Sequence, residues 1–324
     1  MAVVADSGDP GRARSFAAAL AVVAGGFASL GLPPLGLPVA AAGLAWLHAR
    51  RGPLAAVIAS LVAGAATFVV DPTGPLYVTL WLLAVGPAAA ALLKRSRFES
   101  VVLGIAVLVA VVWGGAVVGA AAAQGTDVAS MFRSTTRQAV SQGLLDARSA
   151  SADTAEAQRQ VDELVEAVVR VLPAVLAFLA GVTAVGSVGA AVVVLRRIGV
   201  EAAGVPPLAE FDLDPRAVWP LIVAVVLIAV DKFSRGWRDG LLGVIGENLL
   251  LTMRWVLFAQ GVAVFAGLYE RAKMSRAGRA LGYATLAITE AILPLVSLTG
   301  LVDVWLNFRR LPRDGRTDAT QPSG

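Results

Sequence analysis

Apolar runs recur along this chain, most of them near the roughly 20 helical residues that crossing a hydrocarbon core of about 30 Å requires. They fall at 16–30, 39–47 with the turn before it, 54–70, 76–93, 101–123, 165–195, 217–230, 241–268 and 280–308. The breaks between them hold helix-stopping residues or charges. Pro33, Pro34 and Pro38 follow the first run, Asp71-Pro72-Thr73-Gly74-Pro75 follows the third, and arginine or lysine clusters follow the second, fourth, sixth and eighth. Helices are the open-ended structures that can span lipid, and the alternating segments of a barrel are absent. The pattern therefore predicts an all-α, polytopic transmembrane helical bundle of eight to nine spans.

One long polar stretch, 124–163, interrupts the runs. Within it Val128, Met131, Phe132 and Thr135, and then Val161, Leu164, Val165 and Val168, recur at helical spacing, as amphipathic helices on a membrane surface or against the bundle would require. Six acids and four arginines between 127 and 163 leave no cationic excess, so this insert is expected to be extracytoplasmic. The basic clusters that follow even-numbered runs and precede the first place those loops and the amino terminus in the cytoplasm. The last run is interrupted by Glu290, Pro294 and Asp303. A single crossing there would put Arg309, Arg310, Arg313 and Arg316 outside. Two half-helices broken near Pro294 would return the tail to the cytoplasm, and the charge rule favours this arrangement.

The expected organisation is a cytoplasmic tail at 1–15, a five-helix membrane segment at 16–123, the insert at 124–163, a further membrane segment with buried polar residues at 164–308, and a basic tail at 309–324. The first run leads straight into the next, so it reads as a retained helix rather than a cleaved leader. Gly115 and Gly119 are spaced like a small-residue packing face, a pattern that arises easily in an Ala/Gly-rich chain.

Composition agrees with this. Of 324 residues 57% are hydrophobic and 15% charged, with a mean hydropathy of +0.74, where a soluble domain carries about a quarter charged residues. The pI near 9.9 comes from clusters at the ends of apolar runs, a topology signal and not a nucleic-acid footprint. Cysteine is absent and His48 is the one histidine, which removes thiolate chemistry and imidazole-rich metal sites. No HExxH, P-loop, GxSxG or dinucleotide fingerprint occurs, so neither an enzyme nor a cofactor is expected.

Candidate chemistry centres on 241–268, an apolar run that carries Glu247, Asn248, Arg254 and Gln260. Charges inside hydrocarbon face a bundle interior or a wet cavity. Glu247, Arg254 and Gly261 recur every seven residues, nearly on one helix face, with about 10 Å between neighbours, too far for a direct Glu247–Arg254 bond. Asp231, Glu290 and Asp303 are the acids available on neighbouring segments. Glu290 stands four residues before Pro294, whose ring weakens the hydrogen bond to the Glu290 carbonyl. The candidate substrate-binding set is Glu247, Asn248, Arg254, Gln260 and Glu290, with Arg254 taking an anionic group. The competing reading is a set of interhelical pairs that fix helix register. Asp303, in DVWLNFRR, reads as structural beside an interface anchor.

The carboxyl-terminal third resembles the YybS family of bacterial integral membrane proteins. Phe211, Trp219-Pro220, Asn248, Gln260-Gly261, Gly300, Asp303, Trp305, Phe308 and Arg309 carry the likeness, with the early LPPLGLPVAAAGLAWLHARRG beside them. That family is grouped by fold with the S components of energy-coupling-factor transporters, which capture a solute and rely on a partner ATPase module. The resemblance implies a bacterial cytoplasmic (inner) membrane protein with solute-binding or transport character, with the lipid bilayer and an ATPase module as partners. The alternative is a membrane scaffold that recruits a protein partner through 124–163.

Overall fold

The computed structural model describes residues 10–147, 154–201, 207–235 and 240–311. It divides into two compact units, Met1–Val205 and Pro206–Gly324. Every regular element among the described residues is helical.

The first unit contains α1 (Pro10–Gly31), α2 (Pro33–Arg51), α3 (Pro53–Ala66), α4 (Gly74–Val85), α5 (Pro87–Leu93), α6 (Phe98–Ala123), α7 (Val128–Ala147) and α8 (Thr154–Arg197). Prolines open α2, α3, α4 and α5 in the first turn, where a missing N–H costs nothing. The core is built around α2, whose Leu37, Ala40, Ala41, Leu44 and Ala45 are buried against neighbouring helices. Glycine permits the closest approach here. A Cβ on Gly43 would sit 2.5 Å from the Ala18 carbonyl of α1, and one on Gly186 of α8 would sit 2.9 Å from the Pro38 ring. Added Cβ atoms at Gly115 and Gly119 would meet nothing within 4 Å, so that pair is not a packing face among the described residues.

The insert forms an antiparallel helical hairpin. Asp127 opens α7, accepting from the Ser130 amide at 3.0 Å, and Arg133–Glu166 (2.7 Å) and Arg137–Asp162 (2.5 Å) tie α7 to α8. At 44 residues α8 is about 66 Å long, roughly twice the hydrocarbon thickness. The change from polar to apolar sequence at 163–164 thus lies inside one continuous helix. At the other end of this unit Arg51 donates to Ser15 Oγ, Arg50 to the Ile198 carbonyl, and Arg95 pairs with Glu201. These bonds gather the arginine clusters of four separate helix termini at one end.

The other unit contains short 3-10 turns at Leu208–Glu210 and Pro215–Val218, then α9 (Trp219–Arg235), α10 (Leu241–Arg271), α11 (Arg276–Ile292) and α12 (Leu295–Leu306). Asp231 is 1% exposed and accepts from the Gly240 amide at 2.9 Å, tying α9 to the start of α10. Alongside α10 runs α12, nearly backbone to backbone, because a side chain on Gly261 would collide with the Val296 carbonyl and one on Gly300 with that of Leu257. Between α11 and α12 the chain bends by 101°. Arg271, ending α10, donates to the Arg309 carbonyl at 3.1 Å, so the chain leaves α12 at the end of α10 from which α11 departs. Two half-helices need that geometry.

Among the described residues six segments are long and apolar enough to cross a membrane, or seven with the bent pair as one span. The expected eight to nine included α2 and α3. The former is rich in Gly, Ala and Pro and ends in His48, Arg50 and Arg51, and the latter, with its following turn, stops at Val69.

Two outcomes follow. Gly261→Val overpacks the α10–α12 contact and lowers the thermal unfolding midpoint in detergent, by about 1–3 kcal/mol of stability; Gly119→Ala leaves it unchanged or raises it slightly. The bond from the Ser130 hydroxyl, with the Ser130 amide behind it, holds the Asp127 carboxyl below its ordinary 3.8. A depressed carboxyl stabilises above its unfolded pKa and loses that contribution as pH falls through the folded one. Hydrogen exchange of the first α7 amides, corrected for intrinsic rate, therefore accelerates on acidification below the ordinary aspartate range, and Asp127→Ala removes the dependence.

Candidate functional site

The polar residues of the carboxyl-terminal unit gather into two clusters along α10. One is created by Pro294. With no N–H to give, this residue leaves the Glu290 carbonyl without its helical donor, and in lipid an unsatisfied backbone group costs several kcal/mol. Arg254 Nη2 takes that role, donating to the Glu290 carbonyl at 2.5 Å, while its Nε donates to Glu290 Oε1 at 2.8 Å. Glu290, 2% exposed, then reaches across the bend. Its Oε2 accepts from the Ser297 amide at 3.0 Å, in the first turn of α12, and its Oε1 accepts from the Ser297 hydroxyl at 2.5 Å. The carboxylate acts as the cap of α12 from a different helix, with its negative charge at the positive end of the helix dipole.

Arg254 is 34% exposed in its side chain. Of the five N–H groups a guanidinium carries, two are engaged in these bonds, and the Nη1 edge has no hydrogen-bond partner among the described residues.

The other cluster lies about two turns further along α10. Gln260, fully buried, donates from Nε2 to Asp303 Oδ2 at 2.9 Å and Asp212 Oδ1 at 3.1 Å, and its Oε1 accepts from the Leu213 amide at 3.1 Å. Arg309 reaches the same carboxylates, because Asn307 adopts a left-handed conformation (φ 44°) that ends α12 and turns the chain back onto it. The Phe308 amide donates to Asp303 Oδ1 at 2.9 Å. The Arg309 guanidinium is satisfied all round: Nε and Nη2 bond Asp303, Nη1 bonds the Ala209 and Phe211 carbonyls, and Nη2 reaches Asp212 at 3.5 Å.

Of the five sequence candidates, Arg254 and Glu290 meet directly and Gln260 belongs to the other cluster. Asn248 bonds back to the Val244 carbonyl of its own helix at 2.9 Å, and Glu247 stands beside it, half-buried. Sequence reasoning left out Asp212 and Arg309. Asp212 sits in a loop motif, FDLDPR, with nothing in the pattern to pair it across 48 positions to Gln260. Arg309 has the sequence context of a basic tail, yet is 7% exposed. Phe211, Gln260, Gly261, Gly300, Asp303, Phe308 and Arg309 come together around this cluster. The described residues include no group of His, Cys, Asp and Glu arranged to hold a metal ion.

Arg309→Ala strands a buried carboxylate and costs about 3–5 kcal/mol. Arg309→Lys restores little of it, since an ammonium has three donors and no planar fork. Arg254→Ala is milder, about 1.5–3 kcal/mol, its pair being partly exposed. Chemical unfolding in detergent ranks the three.

A family model described as "Predicted membrane protein (DUF2232)" matches residues 19–304, which contain both units' helical cores. No curated protein and no solved structure matches the chain.

Proposed function

The chain belongs to the DUF2232 family of predicted membrane proteins, and from that membership and the geometry above we propose that this integral membrane protein binds a small anionic solute as a transport or solute-capture subunit. The observation that carries this reading is the open edge of Arg254 beside a broken helix. Irregular backbone at membrane depth is tolerated where protein buries it or where it lines a wet cavity, and transporters place solute sites at such half-helix ends. Arg254 binds the anion through its Nη1 edge. Glu290 holds the half-helix N-terminus that a solute carboxylate would otherwise occupy, and Glu247, Asn248 and Gln260 flank the site along α10. In this reading α2 and α3 complete nine membrane segments and the arginine-rich end of the first unit faces the cytoplasm of a bacterial inner membrane. A partner ATPase module supplies energy, as for S components.

The test is a thermal-shift panel of small carboxylates, phosphates and vitamins on the purified protein. A ligand confined to the folded state adds about 2.7 kcal/mol at a hundredfold excess over its dissociation constant. At least one anion is expected to raise the wild-type midpoint and to leave Arg254→Gln unmoved. Stabilisation of both alike, or of neither, contradicts the assignment.

A different reading, a scaffold, is favoured by the α7–α8 hairpin, whose exposed ion pairs and length suit protein capture. Deleting 124–160 while the bundle stays folded would abolish partner recovery in that case.

A further inference from the structure

Three helices of the first unit converge on a pocket of about 590 Å³ whose lining includes Arg14 of α1, Arg50 and Arg51 of α2, and Arg197 of α8, with Trp46 and Ile198 as its apolar wall. Among the described residues no carboxylate lines it. The groups that orient its arginines are neutral: Arg50 Nη2 bonds the Ile198 carbonyl at 2.9 Å, and Arg51 bonds Ser15 Oγ at 2.9 Å, a hydroxyl that itself donates to the Gly11 carbonyl at 2.7 Å. Among the described residues none of the four arginines forms an ion pair, and Arg14 and Arg197 make no side-chain hydrogen bond. Glu201, four residues after Arg197, is paired with Arg95.

We infer that this pocket is a binding site for a multiply charged phosphate group, carried by a lipid headgroup or by a soluble diphosphate.

Arginines at helix ends are commonplace, as a topology signal and as a complement to the C-terminal dipole. Those roles account for each cluster at its own helix. They do not account for four guanidinium groups from three helices facing one concavity with neutral anchors. Like charges held together repel one another, and an anion in their midst relieves this. Guanidinium forks match phosphate oxygens bidentately, and the anchored Arg50 and Arg51 are already oriented, so little side-chain freedom is lost on binding. A basic pocket between membrane helices is the arrangement that holds anionic headgroups, and Trp46 and Ile198 supply apolar contact beside the charge. The site lies in the first unit and stands independently of the Arg254 reading.

The test uses the full chain in detergent and in nanodiscs. Inorganic pyrophosphate probes the soluble source and diphosphatidylglycerol the lipid source, each against a phosphatidylcholine background. The variant is Arg14→Gln/Arg197→Gln, which leaves the anchoring bonds of Arg50 and Arg51 intact. The control, Arg276→Gln/Arg279→Gln, removes the same charge elsewhere. At least one probe is expected to bind the wild type and the control alike, with affinity falling at least tenfold in the pocket variant and declining with salt. Binding of pyrophosphate marks a soluble ligand; binding of the lipid alone marks a headgroup site. If neither probe binds, or if control and pocket variant lose affinity equally, the inference is wrong. Should the double variant fail to fold, Arg197→Gln alone, at the last residue of α8, carries the comparison.

Discussion

The carboxyl-terminal unit depends on one missing proton donor. A proline at 294 cannot complete the helical bond to the Glu290 carbonyl, and in an apolar setting that oxygen must find another donor. Arg254 provides it, and the Glu290 side chain uses the same guanidinium to hold its carboxylate over the first turn of α12. From this single exchange of donors follow the 101° bend, the return of α12 along α10 and the glycine contacts at Gly261 and Gly300 that the return requires. A charged residue inside an apolar helix is thereby explained without invoking a ligand, and one edge of it is still left over.

The two clusters along α10 differ in that remainder. Arg309 has every donor engaged and lies at 7% exposure, so it works as a tie between the loop at 209–213, α10 and the end of α12. Arg254 keeps its Nη1 edge and a third of its side-chain surface. The two clusters are neighbours on one helix, and this difference underlies the proposal that Arg254, and not the more deeply buried polar residues, binds a solute.

Much of this was legible in sequence. The apolar runs located the long helices, and the proline four residues after Glu290 pointed to opened backbone at the right place. Helix–helix partners were legible only in type: Arg254 needed an acid, and Glu290 was one of three. What the pattern could not carry was geometry set by tertiary contact. The left-handed turn at Asn307 brings Arg309 back onto Asp303, so a residue that reads as tail becomes core. Gly115 and Gly119 have the spacing of a packing face, yet a Cβ at either would meet nothing among the described residues, while Gly43 and Gly261, less conspicuous in an Ala/Gly-rich background, are where helices touch. In α2, burial inside the bundle relaxes the demand for lipid-facing apolar surface, so the length of an apolar run is a weaker guide to spanning there.

The dependence of Arg254 on Pro294 can be measured directly by a double-mutant cycle of Arg254→Ala and Pro294→Ala, followed by equilibrium unfolding in detergent. Pro294→Ala restores a backbone N–H that can serve the Glu290 carbonyl. If Arg254 is there to satisfy that oxygen, its loss costs less in the Pro294→Ala background, with a coupling on the order of 1 kcal/mol or more. Additivity to within about 0.5 kcal/mol would show that the proline break and the arginine are unconnected, and the structural premise of the site would fall.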